Sequence, residues 1–294
     1  MTLPALRSLD DILSLDLPGP DAAAEAGARA RQAELTKPPG SLGRLEELAA
    51  FVAGWRATPR PRIERAQALV FAGNHGVCAQ GVNPFPQAVT ALMVTNFEAG
   101  GAAINQLCRV AGAALTVVPL ELERPTRDFT EGPAMTEAEC LAALNRGAAA
   151  VDPRADVLIL GEMGIGNSTI SAALAHAVCG GAPGDWVGRG TGSDAAGLAR
   201  KAEVVARGAA RHAGLSPLRA LAALGGREQA ALCGAVLAAR AARIPAILDG
   251  YICTAAVASL HGARPAQLDH CLVGHLSAEP GHARLCAGWG RIPF

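Results

Sequence analysis

Short apolar runs that stop at a glycine recur along this chain and limit what it can fold into. They are Ala68-Leu-Val-Phe-Ala-Gly73, Val157-Leu-Ile-Leu-Gly161, Ala220-Leu-Ala-Ala-Leu-Gly225 and Ile247-Leu-Asp-Gly250, with Leu115-Thr-Val-Val-Pro119 as a fifth. Each has the length of a buried strand, and helix-like stretches separate them. That alternation predicts an α/β fold: a doubly wound, mainly parallel, Rossmann-like sheet with a small helical subdomain. In such sheets ligands bind beyond the carboxyl ends of the strands. The glycines and the polar residues after them fall there.

The first sixty or so residues read differently. They are rich in Ala, Arg and Glu, with Pro and Gly breaks at 18 to 20 and 38 to 40, as expected of helices joined by turns. Residues 1–65, with part of 263–294, are therefore assigned to the small subdomain, and residues 66–262 to a large substrate-binding domain. A chain of 294 residues that is 50% hydrophobic and 18% charged can bury a core of that size.

Lys plus Arg equals Asp plus Glu at 26 each, and no basic stripe carries interleaved aromatics, so nucleic acid is not the expected partner. Asp10, Asp11 and Asp16 interrupt the N-terminus early, unlike a signal peptide, and the expected location is the cytoplasm. The most apolar stretch, from Ala230, is broken by Arg240 and Arg243 before it could span a bilayer. Eight cysteines are scattered without a Cys-x-x-Cys pair, which reads as reduced, packed thiols and no protein-held metal.

The most informative segment is Leu160-Gly-Glu-Met-Gly-Ile-Gly-Asn-Ser-Thr169. A strand ends, an acid follows, two glycines turn the chain, and Asn167 or Ser168 can cap the next helix. Such a turn lets backbone N–H groups approach a phosphate at a helix start; the bland reading is a tight strand-to-helix connection. The spacing is neither a Walker A nor a dinucleotide fingerprint, which favours a mononucleotide. A second cluster, Val187-Gly-Arg-Gly-Thr-Gly192, could complete the phosphate site, with Lys201 or Arg189 supplying charge. Either cation alone reads more readily as a solvated helix residue. Glu228 falls in a first helical turn, where helix capping is the safer reading. Asp249, at a strand end, either orients a base or ribose or caps a helix. His75, in Phe71-Ala-Gly-Asn-His-Gly-Val77, reads better as a histidine held by a turn than as a proton shuttle.

Five blocks stand in order: Lys37-Pro-Pro-Gly-Ser-Leu-Gly43, Ala72-Gly-Asn-His-Gly-Val77, Gly161 to Thr169, Gly188 to Gly192, and Ser277-Ala-Glu-Pro-Gly-His282, joined by Asp249-Gly-Tyr-Ile-Cys-Thr-Ala-Ala256. Together they resemble the nicotinate-nucleotide:dimethylbenzimidazole phosphoribosyltransferase family over nearly the whole chain. The resemblance implies transfer of a phosphoribosyl group from nicotinate mononucleotide to 5,6-dimethylbenzimidazole, with no cofactor and no metal, by a homodimer. It implies that Glu162 and Lys201 are the substrate-site acid and lysine, and that Asp249 supports the base. Gly190 and Thr191 match the family's phosphate loop, and Met163, Gly164, Gly166, Asn167, Ser168, Arg189 and Gly192 are expected to bind substrate beside them. Asn83 and Gln87 fall near the base pocket.

The family's general base is a glutamate in a Leu-Gly-Glu-Gly turn that follows the Ser277 block. No residue matches it in a sequence whose last letters are Ile292-Pro-Phe294, so the expectation is slow turnover by this chain as written. A silent module that binds azoles or mononucleotides is the alternative. A dinucleotide oxidoreductase is disfavoured, since no Gly-x-Gly-x-x-Gly with a following acid is present.

Overall fold

The computed structural model describes residues 2–290. Five strands, β1 (Ala66–Ala72), β2 (Ala113–Pro119), β3 (Val157–Met163), β4 (Ala246–Leu248) and β5 (Cys271–Val273), form one sheet in the order β2-β1-β3-β4-β5. All four pairings are parallel. The order reverses between β1 and β3: β2 lies to one side of that pair, and β4 then β5 to the other. This is the topological switch point at which open α/β sheets bind ligands.

The sheet core follows from near-continuous apolar runs, as a parallel sheet covered by helices requires. Leu69, Phe71, Leu158 and Leu160 are fully buried and belong to one cluster with Leu144, Leu232 and Val236 from the helices Glu137–Ala149 and Arg227–Ala241. Every residue of the Arg227–Ala241 helix is buried. Its two arginines are accommodated at its ends. Arg240 donates to Pro18 O and Ala266 O and lies 5.1 Å from the Trp55 ring centroid.

The two core helices meet at glycines. A Cβ on Gly147 would lie 1.8 Å from Ala231 O, and one on Gly234 would lie 1.9 Å from Leu144 O. Backbone therefore packs directly on backbone, and no side chain can be inserted without moving a helix. Replacing Gly234 with valine should destabilise the fold by about 3 kcal/mol or more through overpacking. Urea unfolding measures this, and a midpoint unchanged from the parent would refute the close contact.

Four of the five expected strands are present. The exception is Ala220–Gly225, which lies in the helix Pro217–Leu224. Its residues are Ala and Leu, good helix formers and not β-branched; Ser216 stands at the N-cap and Pro217 in the first turn, the place where proline starts a helix. The fifth strand is instead β5, three residues within the 263–294 segment, part of which was expected in the small subdomain. Before Ala66 the chain is helical, at Asp11–Ser14, Ala22–Glu34 and Arg44–Arg56. Leu6, Leu9 and Ile12 from this part are buried in the sheet's own cluster. No helix of the described residues is long and apolar enough to cross a membrane.

Candidate functional site

A cleft of about 350 Å³ opens at the carboxyl end of β3. Its walls include Glu162, Met163, Gly164, Gly166, Asn167 and Ser168 from the strand end and the following turn. Gly190, Thr191 and Lys201 come from the second glycine cluster and the helix after it, and Asn83 from the loop following β1. Ten expected site residues thus meet in one place.

The turn after β3 is built from small residues because its surroundings leave no room. Gly166 adopts φ +91, a left-handed conformation that favours glycine, and leads into the helix Asn167–Cys179. A Cβ on Gly164 would lie 2.6 Å from Gly73 O and 2.8 Å from His75 Nε2. Thr90 Oγ1 accepts from Ile165 N at 3.2 Å and pins the turn from the other side. Neither Asn167 nor Ser168 caps this helix; Gly166 is the N-cap and makes no side-chain bond. Asn167 donates instead to Glu162 Oε2.

Lys201 supplies the buried cation. It is 3% exposed, and its Nζ donates to Ser168 Oγ at 3.2 Å and to Gly188 O at 3.5 Å. A Cβ on Gly190, which holds φ +51, would lie 3.3 Å from that nitrogen. Two glycine turns and one ammonium thus converge on a helix start, the arrangement that binds a phosphate. Burial lowers the Lys201 pKa, and the nearby Glu279 carboxylate raises it.

Glu162 is the titratable group of the cleft. Burial pushes its carboxyl up to about 7, the Asn167 hydrogen bond opposes the rise, and the Asp249 charge adds to it. Asp249 does not line the cleft. It faces a neighbouring, largely apolar cavity of about 580 Å³, which Glu162 also lines. Asp249 makes no cap bond to the helix it precedes, and its Oδ1 lies 3.3 Å from His275 Nδ1.

Three other expected residues lie outside the cleft lining. Gln87 donates to His75 O from a partly buried position. Arg189 is exposed, its carbonyl accepting from Gly192 and Ser193. Gly192 shapes the turn at φ +122.

The structure adds residues that motif reading passed over. Glu279, inside the Ser277 block, accepts from Gly190 N at 2.8 Å and lines the cleft with Phe85, Tyr251 and Ser277. Glu228 does stand in the first turn of the Arg227–Ala241 helix, but its carboxyl also meets a second buried group. It is fully buried, and its Oε1 lies 3.3 Å from Nε2 of the equally buried His75. The available sequence signal for this pair is a histidine and an acid, each flanked by glycines at the end of an apolar run.

These groups make stability depend on pH in a definite sense. Burial raises Glu228 to about 8 and Glu162 to about 7, from an ordinary 4.5, so their contributions are complete below 4.5 and lost as pH rises through the raised values. Burial lowers His75 from 6.5 to about 3, so its contribution is complete above 6.5 and lost as pH falls through the lowered value. The terms oppose each other at mildly acid pH. From about pH 6.5 to 8 only the carboxyl loss remains, and thermal unfolding should show a decline of about 2 kcal/mol. Glu228→Gln should remove most of that decline and leave the smaller part due to Glu162; an equal decline in the variant would assign it to other groups.

A family model described as phosphoribosyltransferase matches residues 17–294. The chain belongs to this family. It is 68% identical over 288 residues to the nicotinate-nucleotide--dimethylbenzimidazole phosphoribosyltransferase of Rhodobacter capsulatus, covering 97% of this chain and 86% of that one. Its identity to the protein of the same name from Ruegeria pomeroyi is 61%, over 99% of this chain and 88% of the relative. The crystal structure of CobT from Thermus thermophilus superposes with a TM-score of 0.86 at 40% identity, covering 92% of this chain and 88% of that one. The phosphoribosyltransferase fold is therefore the one described above, with the cleft at its switch point.

Proposed function

We propose that this chain transfers the 5-phosphoribosyl group of nicotinate mononucleotide to 5,6-dimethylbenzimidazole, giving α-ribazole 5′-phosphate and nicotinate. The observation that carries the reading is the buried Lys201 ammonium between Ser168 Oγ and the Gly190 turn, a cradle for a phosphate at a strand switch point. The names of the relatives favour transfer over silent binding.

In this reading the phosphate rests on Lys201, the Gly164 to Ser168 turn and the turn of Arg189, Gly190, Thr191 and Gly192. The ribose is then held beside Glu162. The bond from the ribose carbon to the pyridinium nitrogen breaks, returning its electron pair to neutralise the ring. The azole nitrogen bonds to the same carbon, and the azole N–H proton is released. The carbon carries oxocarbenium character between these events, and an ionised Glu162 offsets that charge. Asn83, Gln87 and Met163 bound the side on which the azole stacks, and Asp249 supports the base.

We further propose that two copies associate through the helices Ala88–Glu98 and Ala103–Ala111. Leu92, Leu107 and Val110 there are 67%, 64% and 89% exposed, an apolar surface of the kind that isologous contacts cover. A cytoplasmic location fits the eight cysteines, all of which are free thiols.

Calorimetry with nicotinate mononucleotide tests the cradle. Gly190→Leu should weaken binding by about tenfold or more, because a side chain at positive φ is strained and points toward the anion. Unchanged affinity would place the phosphate elsewhere.

A further inference from the structure

The mechanism leaves His75 and Glu228 unused. Both side chains are wholly buried beneath the turn after β3, and they approach each other at 3.3 Å between Nε2 and Oε1. Neither imidazole nitrogen and neither carboxyl oxygen has a hydrogen-bond partner among the described residues. One proton placed between Oε1 and Nε2 would turn that approach into a hydrogen bond.

The glycines around the pair fix where it sits. A Cβ on Gly73 would lie 2.3 Å from Glu228 Oε2, and one on Gly226 would lie 2.5 Å from the same oxygen. Gly164, whose other side lines the cleft, would place a Cβ 2.8 Å from His75 Nε2. The pair is thus in contact with the turn proposed to hold the phosphate. A bare carboxylate there would repel a dianion through a medium with little screening.

We propose that His75 and Glu228 are positioning residues that share one proton, forming an uncharged floor against which the phosphate-binding turn rests. The inference depends on the reading of the cleft as a phosphate site. Burial drives both partners toward their neutral forms, raising Glu228 to about 8 and lowering His75 to about 3. The other charged groups acting on the pair are Arg227, next to Glu228 on the same helix, and Glu162 from β3, behind which lie Asp249 and Cys253. Arg227 is itself engaged by Glu139 at 3.0 Å and Glu121 at 3.4 Å. Above about pH 8 the shared proton leaves. A negative charge then appears under the turn and the phosphate is held less tightly.

The test is calorimetry at pH 7 and pH 9, with nicotinate mononucleotide and inorganic phosphate as separate probes, on the parent protein, Glu228→Gln and Glu228→Asp. A glutamine is neutral at both values and of the same shape. The expected result is equal affinity of parent and Glu228→Gln at pH 7, and about tenfold tighter binding by Glu228→Gln at pH 9. Comparing the two proteins at one pH cancels the titration of Lys201. Glu228→Asp, which keeps an ionisable group, should retain the parent's weakening at pH 9. A 15N resonance assigned to His75 should shift with the same midpoint in the parent and stay fixed in Glu228→Gln. A parent-to-variant ratio equal at both pH values, or a His75 signal indifferent to Glu228, would overturn the pair. Binding of inorganic phosphate but not of the mononucleotide, with the pH pattern intact, would overturn the substrate assignment and leave the pair standing.

Discussion

Lys201→Met is expected to weaken nicotinate mononucleotide binding by roughly thirtyfold to a thousandfold, since removing one partner of a buried charge pair costs about 2 to 4 kcal/mol. The ammonium stands behind Ser168 and the Gly190 turn at 3% exposure, so water cannot take its place cheaply. Methionine keeps the volume and the flexible stem, and the fold should survive because the helix Ala195–Arg211 packs through Val204 and Val205. Lys201→Arg should recover only part of the affinity, because a planar guanidinium does not fit a pocket shaped for a point charge. Titration calorimetry gives both numbers. Affinity within threefold of the parent for Lys201→Met would remove this residue from the phosphate site.

Glu162→Gln should lower kcat by about a hundredfold to a thousandfold, the usual loss when a positioned group that offsets transition-state charge is removed. Binding of the mononucleotide should change little, because the phosphate rather than the ribose carbon anchors it. Since burial raises the carboxyl to about 7, the parent's kcat/KM should rise with pH through that value as the carboxylate forms. That acid limb should be absent from the variant. The assay is release of nicotinate in the presence of the azole. A variant with the parent's rate, or with the parent's acid limb, would assign the charge stabilisation to another group.

The parts of the fold that could be read from the letters are those in which a short apolar run is long enough to be a strand and rich enough in Val, Ile or Phe. β1, β2 and β3 met both conditions. Ala220–Leu224 met the length and the terminal glycine but not the composition, and its alanines formed a helix behind Pro217. β4 and β5 have three residues each; β4 showed through the Asp249-Gly250 that ends its run, whereas Cys271-Leu-Val273 follows the Arg264-Pro265 break with no such acid after it.

The glycine turns around Glu162 were legible because backbone that closely approaches its surroundings allows little else. The His75 and Glu228 contact was not: it joins residues far apart in the chain, and the glycines flanking each mark a close approach without identifying the partner. Glu279 escaped for a similar reason. Its block was recognised, but only the folded chain brings its carboxylate to Gly190 N.

The bare contact between the Glu137–Ala149 and Arg227–Ala241 helices sets a mechanical datum for the site. Gly234 rests on Leu144 O six residues along the helix from Glu228, a distance of about 9 Å at the helical rise. A buried helix is stiff over so short a span, so it moves as a lever rather than bending. Any methyl group added at Gly147 or Gly234 would lift the whole rod, and its tip would carry the carboxyl away from His75. A substitution that touches neither the cleft nor its ligands would then register as a change in phosphate affinity. Under the proposed assignment, the grip of the cleft on a phosphate is calibrated from inside the core, by the distance of closest approach of two main chains.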